Sequence, residues 1–337
     1  MRAAKLTAPG RIEVQEVPFI PNPGKGEVVV QVKAVGICGT DLHIFQGHRA
    51  DVVLPRIMGH ELSGFVTHTG EGVTEFAPGD RVILDPVFAC WDCPACKAGH
   101  TNVCAKVACF GVQMEGGFQD YITVPAHRLF QFPATVSMEQ AALAEPFSIA
   151  ANITARIGMH ATERAVVIGA GTIGLVLVQT LVGAGVDVLI SDVVDSKLEV
   201  AKSFGAKHIV NSKKENLAAA VDAFSPGGAE IVIDAVGITP LTQQSLEYAA
   251  PAARVTIIGF DDKPLSIPPV QVTKKELMLI GSRMNNGRFP TVVGWLEAGS
   301  IDPQPMITGV YPLERIQEAF DYILAHAEQC IKTLITL

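Results

Sequence analysis

The chain has 337 residues, enough for two domains, with 48% hydrophobic and 18% charged residues, so a large core is expected and disorder is not. Its net charge is -8 and it has no run of lysine and arginine, which disfavours nucleic acid and anionic membrane surfaces as partners. The opening MRAAKLTAPGRIEVQEVP lacks the apolar core of a signal peptide, and no stretch offers about 18 uninterrupted apolar residues, so a cytoplasmic location with no membrane contact is expected.

Residues 1–145 are predicted to be mostly β. Short strands such as Glu27–Lys33 and Arg81–Leu84 alternate with Gly/Pro turns such as Asn22–Gly26. Gly36-Ile-Cys38-Gly-Thr40-Asp41-Leu-His43 precedes Gly59-His60-Glu61-Leu-Ser-Gly64 and brings a thiol and an imidazole into one region. Either residue alone has an ordinary structural explanation. Next come Cys90, Cys93, Cys96 and Cys104, spaced C-x2-C-x2-C-x7-C. Four thiols this crowded suit a closed tetrahedral zinc site with bonds of about 2.3 Å. A ferredoxin-type cluster closes with x3 and a proline after its last cysteine, which this run lacks. Disulfides among three cysteines so close require strain. Metal-bound thiols also fit a reducing compartment.

From about Arg164 the texture changes. Ala165–Ile168, Val186–Ile190, Ile231–Asp234 and Arg254–Ile258 alternate with helical patterns, as in a doubly wound parallel sheet. Gly169-Ala-Gly171-Thr172-Ile173-Gly174 lies between a strand and a helix and matches G-x-G-x-x-G. The first two glycines allow a tight turn and close approach to pyrophosphate, and the third lets helix and strand pack. Asp192 stands about 20 residues on, where a carboxylate accepts the ribose hydroxyls of NAD and repels the 2′-phosphate of NADP. Lys197 falls near the same ribose. The last strand of this unit is expected near Leu277–Ile280, followed by an amphipathic helix over Leu313–Ile323 and a final strand over Ile331–Leu337.

Taken together, G-H-E-x-x-G, the four-cysteine lobe and the Gly169 turn resemble the zinc-dependent medium-chain dehydrogenases, the alcohol and polyol dehydrogenase family, essentially from end to end. The resemblance implies a GroES-like mostly-β catalytic domain (1–145), a Rossmann domain binding NAD (146–281) and a C-terminal segment completing the catalytic domain (282–337). It implies a catalytic zinc held by Cys38 and His60, with Glu145 where the alcohol branch carries cysteine, as in the sorbitol and threonine branches. Glu61 accompanies His60 beside the metal or as an exchanging ligand, and Thr40 and His43 match the family's proton relay.

Asp85-Pro-Val, Gly116-Gly-Phe118, Glu145–Asn152 and Gly281-Ser-Arg283 look most like the starvation-sensing, L-gulonate 5-dehydrogenase branch. There, Arg283 and Arg288 lie in a segment lining the substrate cleft and suit a carboxylate; Arg49 and Arg56 are further candidates. Polyols, polyol phosphates and L-threonine stay open as substrates. So do a non-catalytic NAD-binding regulator and a redox switch built on the Cys90 lobe. The resemblance also implies a homodimer or homotetramer, with Arg254–Gly259 and its neighbours at the joining edge.

Overall fold

The computed structural model describes all residues, Met1–Leu337. They form two compact units, Met1–Ser148 with Asn285–Leu337, and Ile149–Met284. No helix is long and apolar enough to cross a membrane.

The first unit is built on a sheet of order Leu129–Gln131, Arg81–Leu84, Glu61–Thr69, Glu27–Ile37, Lys332–Thr336, Ile307–Pro312, with Tyr121–Pro125 also pairing with Glu27–Ile37. The central strand, EVVVQVKAVGI, is mostly β-branched, and Val28, Val29, Val30 and Val32 are all buried. A run buried at consecutive positions has both faces covered, which is why strict alternation is absent from its first half. The C-terminal strand Lys332–Thr336 lies antiparallel to Glu27–Ile37, with Thr333 opposite Ile37 and Leu334 opposite Gly36. Gly36 in turn faces Glu61 on the other side. Three strands from far apart in sequence are thereby locked side by side.

A two-stranded ribbon, Val87–Phe88 against Ala108–Cys109, forms the neck from which the four-cysteine loop projects. The helix expected over Leu313–Ile323 is split. Pro312 leads into a 3-10 turn, Leu313–Arg315, and the α-helix runs Ile316–Ala325 with Ile316, Ala319, Phe320 and Ile323 inward.

The second unit has one parallel six-stranded sheet, ordered His208–Asn211, Asp187–Asp192, Arg164–Ile168, Ala229–Asp234, Ala249–Ile257, Met278–Gly281. Numbered within the unit the order is 3-2-1-4-5-6, and chain direction reverses its spread between the first and fourth strands, the usual place for a ligand in such sheets. Val166, Ile168, Leu189, Val232 and Val255 fill the core, and each is worth about 1.5–3 kcal/mol on burial. Of the strands expected at the edge, that carrying Arg254 is interior and its neighbour Met278–Gly281 lies at the edge. Arg254 explains its own position: it donates to the carbonyls of Ile157 and Gly158 and pairs with Glu163, tying the sheet to a helix end. Strand order is a long-range property that apolar runs alone do not encode.

Candidate metal centres and dinucleotide turn

The lobe Cys90–Cys104 is short, and its ligands are set by local turns. Pro94 opens a one-turn helix, Pro94–Lys97, that carries Cys96, and Trp91 before it takes a φ of 58°. All seven cysteines of the chain are free thiols. Cys93 Sγ lies 3.5 Å from Cys96 Sγ and 3.9 Å from Cys104 Sγ. A tetrahedron of sulfurs at about 2.3 Å from a zinc ion has edges of about 3.8 Å, so the donors suit that ion. Backbone N–H groups aim at the sulfurs: Cys90 and Lys106 donate to Cys104 at 3.2 Å, and Cys93 donates to Cys90 at 3.4 Å. Backbone N–H groups of Ala105 and Cys96 hold the Cys93 thiol down to about 6, whereas burial and neighbouring thiols push Cys96 up to about 12. Cys93 thus forms a thiolate readily, whereas Cys96 resists until a cation offsets its charge.

A second cluster lies in the same unit. Cys38, His60 and Glu61 each offer a donor atom, all within 4.8 Å of one another, and His60 and Glu61 are buried. Cys38 begins the helix Gly39–Phe45, and Asp41 in its first turn organises the surroundings. Asp41 is fully buried; it accepts from the Cys38 N–H at 2.9 Å and the Gly59 N–H at 3.3 Å. It also stands 3.6 Å from His60 Nδ1, too far for a hydrogen bond, and that buried nitrogen has no partner. Burial works against charge on His60, but Asp41 and Cys38 outweigh it and raise the imidazole well above its usual value. The same negative surroundings favour a divalent cation, and a thiolate, an imidazole and a carboxylate are donors zinc accepts. A carboxylate behind a ligating histidine is the usual orienting partner.

Glu145 lies in the first turn of the helix Ala144–Ile157 and is buried, but it is outside the cluster of three. Burial raises its carboxyl to about 7; His60 pulls the other way and Glu61 adds to the rise. The structure therefore brings Glu61 to Cys38 and His60 more closely than Glu145. Thr40 is half-buried on the Gly39–Phe45 helix and His43 is exposed on it, beside His48.

Lys332 carried no weight in the sequence, yet it is 2% exposed and its ammonium donates to both Glu61 oxygens, at 2.7 and 2.8 Å, and to the Ile37 carbonyl at 3.1 Å. Burial pulls its pKa down, but the charges of Glu61 and Cys38 outweigh that and raise it. A buried lysine is rare enough that sequence alone argues for a solvated one. The register of the C-terminal strand is the signal that places it, and it lies about 270 residues away in the chain from its partner.

In the second unit, Gly169 has a φ of +99°, and a Cβ on Gly174 would sit 1.8 Å from the Gly169 carbonyl oxygen. Gly171 is the N-cap of the helix Thr172–Gly183, and a helix N-terminus is where the backbone favours an anion. Thr172 and Ile173 form the first turn. Asp192 ends the strand Asp187–Asp192 and accepts from the N–H groups of Ala170, Val193 and Val194 at 2.6, 2.7 and 2.9 Å, which pins its carboxylate beside the turn. Lys197 is half-buried on the helix Asp195–Ser203.

The candidate substrate arginines differ. The Arg283 guanidinium is exposed and lies 5.8 Å over Phe260, while Arg288 has a buried Nε with no partner. Arg49 is engaged by Asp51 at 2.7 Å and Arg56 by Glu115 at 3.3 Å.

Residues 24–134 match the family described as Alcohol dehydrogenase GroES-like domain, and residues 172–298 the family described as Zinc-binding dehydrogenase. Starvation-sensing protein RspB of Escherichia coli K12 is 36% identical over 340 residues, covering 100% of this chain and 99% of that protein. The 2-dehydro-3-deoxy-L-galactonate 5-dehydrogenase of Pseudoalteromonas atlantica is 37% identical over 301 residues, 88% of each chain. Among solved structures, a protein of Escherichia coli CFT073 described as a short chain alcohol dehydrogenase (rspB), complexed with NADH, superposes with a TM-score of 0.93. That pair is 35% identical, covering 100% of this chain and 99% of the other.

Proposed function

This chain belongs to the zinc-type medium-chain dehydrogenases, and from that premise we propose that it oxidises a secondary hydroxyl of a sugar acid, L-gulonate foremost, with NAD as hydride acceptor. It is an oxidoreductase acting on CH–OH groups. The reaction takes a secondary alcohol and NAD⁺ to a ketone, NADH and one proton. The observation that carries this reading is the trio of half-buried Cys38 with buried His60 and Glu61, in a chain that also holds the Gly169 turn with Asp192 pinned beside it.

Cys38 and His60 hold the catalytic metal, with Glu145 as the third ligand and Glu61 adjacent. Zinc, when bound, supplies Lewis acidity that lowers the pKa of an alcohol. Thr40 takes the released proton and His43 passes it to water, suited by an imidazole's usual pKa. Gly169, Gly171, Thr172, Ile173 and Gly174 receive the pyrophosphate, Asp192 accepts the ribose hydroxyls and Lys197 lies alongside. Arg283 and Arg288 receive the substrate carboxylate, and the unpartnered Nε of Arg288 favours it of the two. Cys90, Cys93, Cys96 and Cys104 hold a second zinc that leaves no open position. The relative acting on a galactonate derivative supports a sugar acid over a plain alcohol.

The test is NADH formation by the zinc-loaded protein on sugar acids, polyols, polyol phosphates and L-threonine. Turnover greatest on L-gulonate or a near epimer supports the assignment, and a tenfold or larger KM increase in Arg288→Ala places the carboxylate contact. Turnover greatest on an uncharged polyol overturns the sugar acid and leaves the dehydrogenase chemistry standing.

A further inference from the structure

Glu61 lies within reach of two cations. One is a metal at Cys38 and His60, since its carboxylate is within 4.8 Å of both donor atoms. The other is Lys332, whose ammonium spans both carboxylate oxygens. The third Lys332 donor goes to the carbonyl of Ile37, the peptide unit that leads into Cys38, so all three of its N–H bonds are used within the cluster. Space for this arrangement comes from Gly36: a Cβ there would lie 2.0 Å from Glu61 Oε2. Gly36 is opposite Glu61 in one strand pair and opposite Leu334 in the next, so the glycine, the glutamate and the lysine-bearing strand are in register. An ion pair needed only for stability has no reason to sit against metal donors, because a buried pair often contributes less than apolar packing of equal volume.

We propose that Lys332 is a positioning residue that holds Glu61 in reserve beside the metal, so that ammonium and metal compete for one carboxylate and a coordination position stays open for substrate. This rests on the zinc reading above. Without the Lys332 charge, the Glu61 carboxylate is left uncompensated in a buried site, and the metal is the nearest cation able to take it. The extra ligand then tightens metal binding and obstructs the substrate position. Gly36→Ala acts on the same carboxylate by pushing it off its seat while Lys332 remains.

The experiment uses the full-length protein loaded with two zinc ions and follows their release to a chromogenic chelator, the four-cysteine zinc serving as internal standard. In Lys332→Met the other zinc is expected to leave about 10–100-fold more slowly, the range seen when groups behind metal ligands are altered. Turnover falls, NADH affinity does not change, and Lys332→Arg recovers most of the wild-type behaviour. Cobalt placed at the exchangeable site reports coordination directly: its visible d–d bands weaken in Lys332→Met as a ligand is added. In the Glu61→Gln background Lys332→Met has no further effect on release, and the doubly neutral protein also guards against a variant that does not fold. Gly36→Ala shifts release in the same direction as Lys332→Met.

Wild-type release and wild-type cobalt bands in both Lys332→Met and Gly36→Ala overturn the proposal, as does an undiminished Lys332→Met effect on the Glu61→Gln background. A wild-type protein that binds only the four-cysteine zinc removes the catalytic-metal reading itself, a different result from two zinc ions indifferent to Lys332.

Discussion

The two candidate metal centres sit in the same unit and are built by opposite means. The four-cysteine lobe draws its donors from 15 consecutive positions, all of one element, and shapes them with local turns and N–H···S contacts. The Cys38 centre takes its donors from the cap of one helix and the start of one strand, mixes sulfur, nitrogen and oxygen, and is surrounded by buried charge from Asp41, Glu145 and Lys332. A closed set of identical soft donors suits a fixed brace, whereas mixed donors with a held-back carboxylate suit exchange at the metal. Removing ligands one centre at a time tests that contrast.

The largest effect is expected at the mixed centre. Cys38→Ala or His60→Ala should lower kcat/KM at least about 10³-fold, as loss of several kcal/mol of Lewis-acid stabilisation requires. One zinc equivalent should be lost by elemental analysis while NADH titration is unchanged, because the Gly169 turn uses other residues. Near-normal turnover in either variant would end the assignment of this centre as catalytic. Cys93→Ser addresses the other side. It should release the lobe zinc, expose the Cys90–Cys104 loop to limited proteolysis and lower the melting temperature by several degrees. The cobalt spectrum of the mixed centre should survive. If Cys93→Ser abolishes cobalt binding at Cys38, the two centres are not separable and the contrast fails.

Asp41→Asn is expected to have an intermediate effect. The carboxylate holds the Cys38 and Gly59 N–H groups and faces His60, so its loss should weaken metal binding at the mixed centre about 10–100-fold and leave the lobe zinc in place. Equal weakening of both zinc ions, measured by competition with a chelator, would mean that Asp41 supports the whole unit and not one site.

The same contrast explains what sequence reading reaches. The lobe and the Gly169 turn are contiguous, so spacing alone carries their geometry, and the parallel sheet follows from apolar runs alternating with helical patterns. Family resemblance adds Cys38, His60 and Glu145, which no local pattern joins. Lys332 and Gly36 stay invisible because their role arises from strand register across nearly the full chain: a C-terminal lysine reads as solvent-facing, and a strand glycine reads as a flaw until Glu61 is seen in the space it leaves. Asp41 was in plain view beside Cys38, but one carboxylate accepting from two N–H groups and facing an imidazole appears only once helix and strand are placed. Which strand of the Arg254–Gly259 neighbourhood forms the edge is fixed for the same reason; burial of Arg254 against Ile157, Gly158 and Glu163 is a tertiary fact.

The smallest effect concerns the neck between the two centres. Gln113 accepts from the Cys109 N–H at 3.0 Å and donates to Asp51 at 2.9 Å, and Asp51 is paired with Arg49 on the surface. Arg49 holds the Asp51 carboxyl down to about 2. A carboxyl depressed on folding adds stability that is complete above its unfolded value near 3.8 and is lost only as pH falls toward 2. Asp51→Asn should therefore lower the urea midpoint by an amount worth less than about 1 kcal/mol, since the pair is exposed, and screening by salt should shrink it further. The difference from wild type should be the same at pH 7 and pH 5, both above the range in which Asp51 titrates. A gap that narrows between those two values would place the relevant titration on another group, and a gap well above 1 kcal/mol would make the Asp51–Gln113 link a structural support for the Cys109 ribbon, joining two centres that the contrast treats as independent.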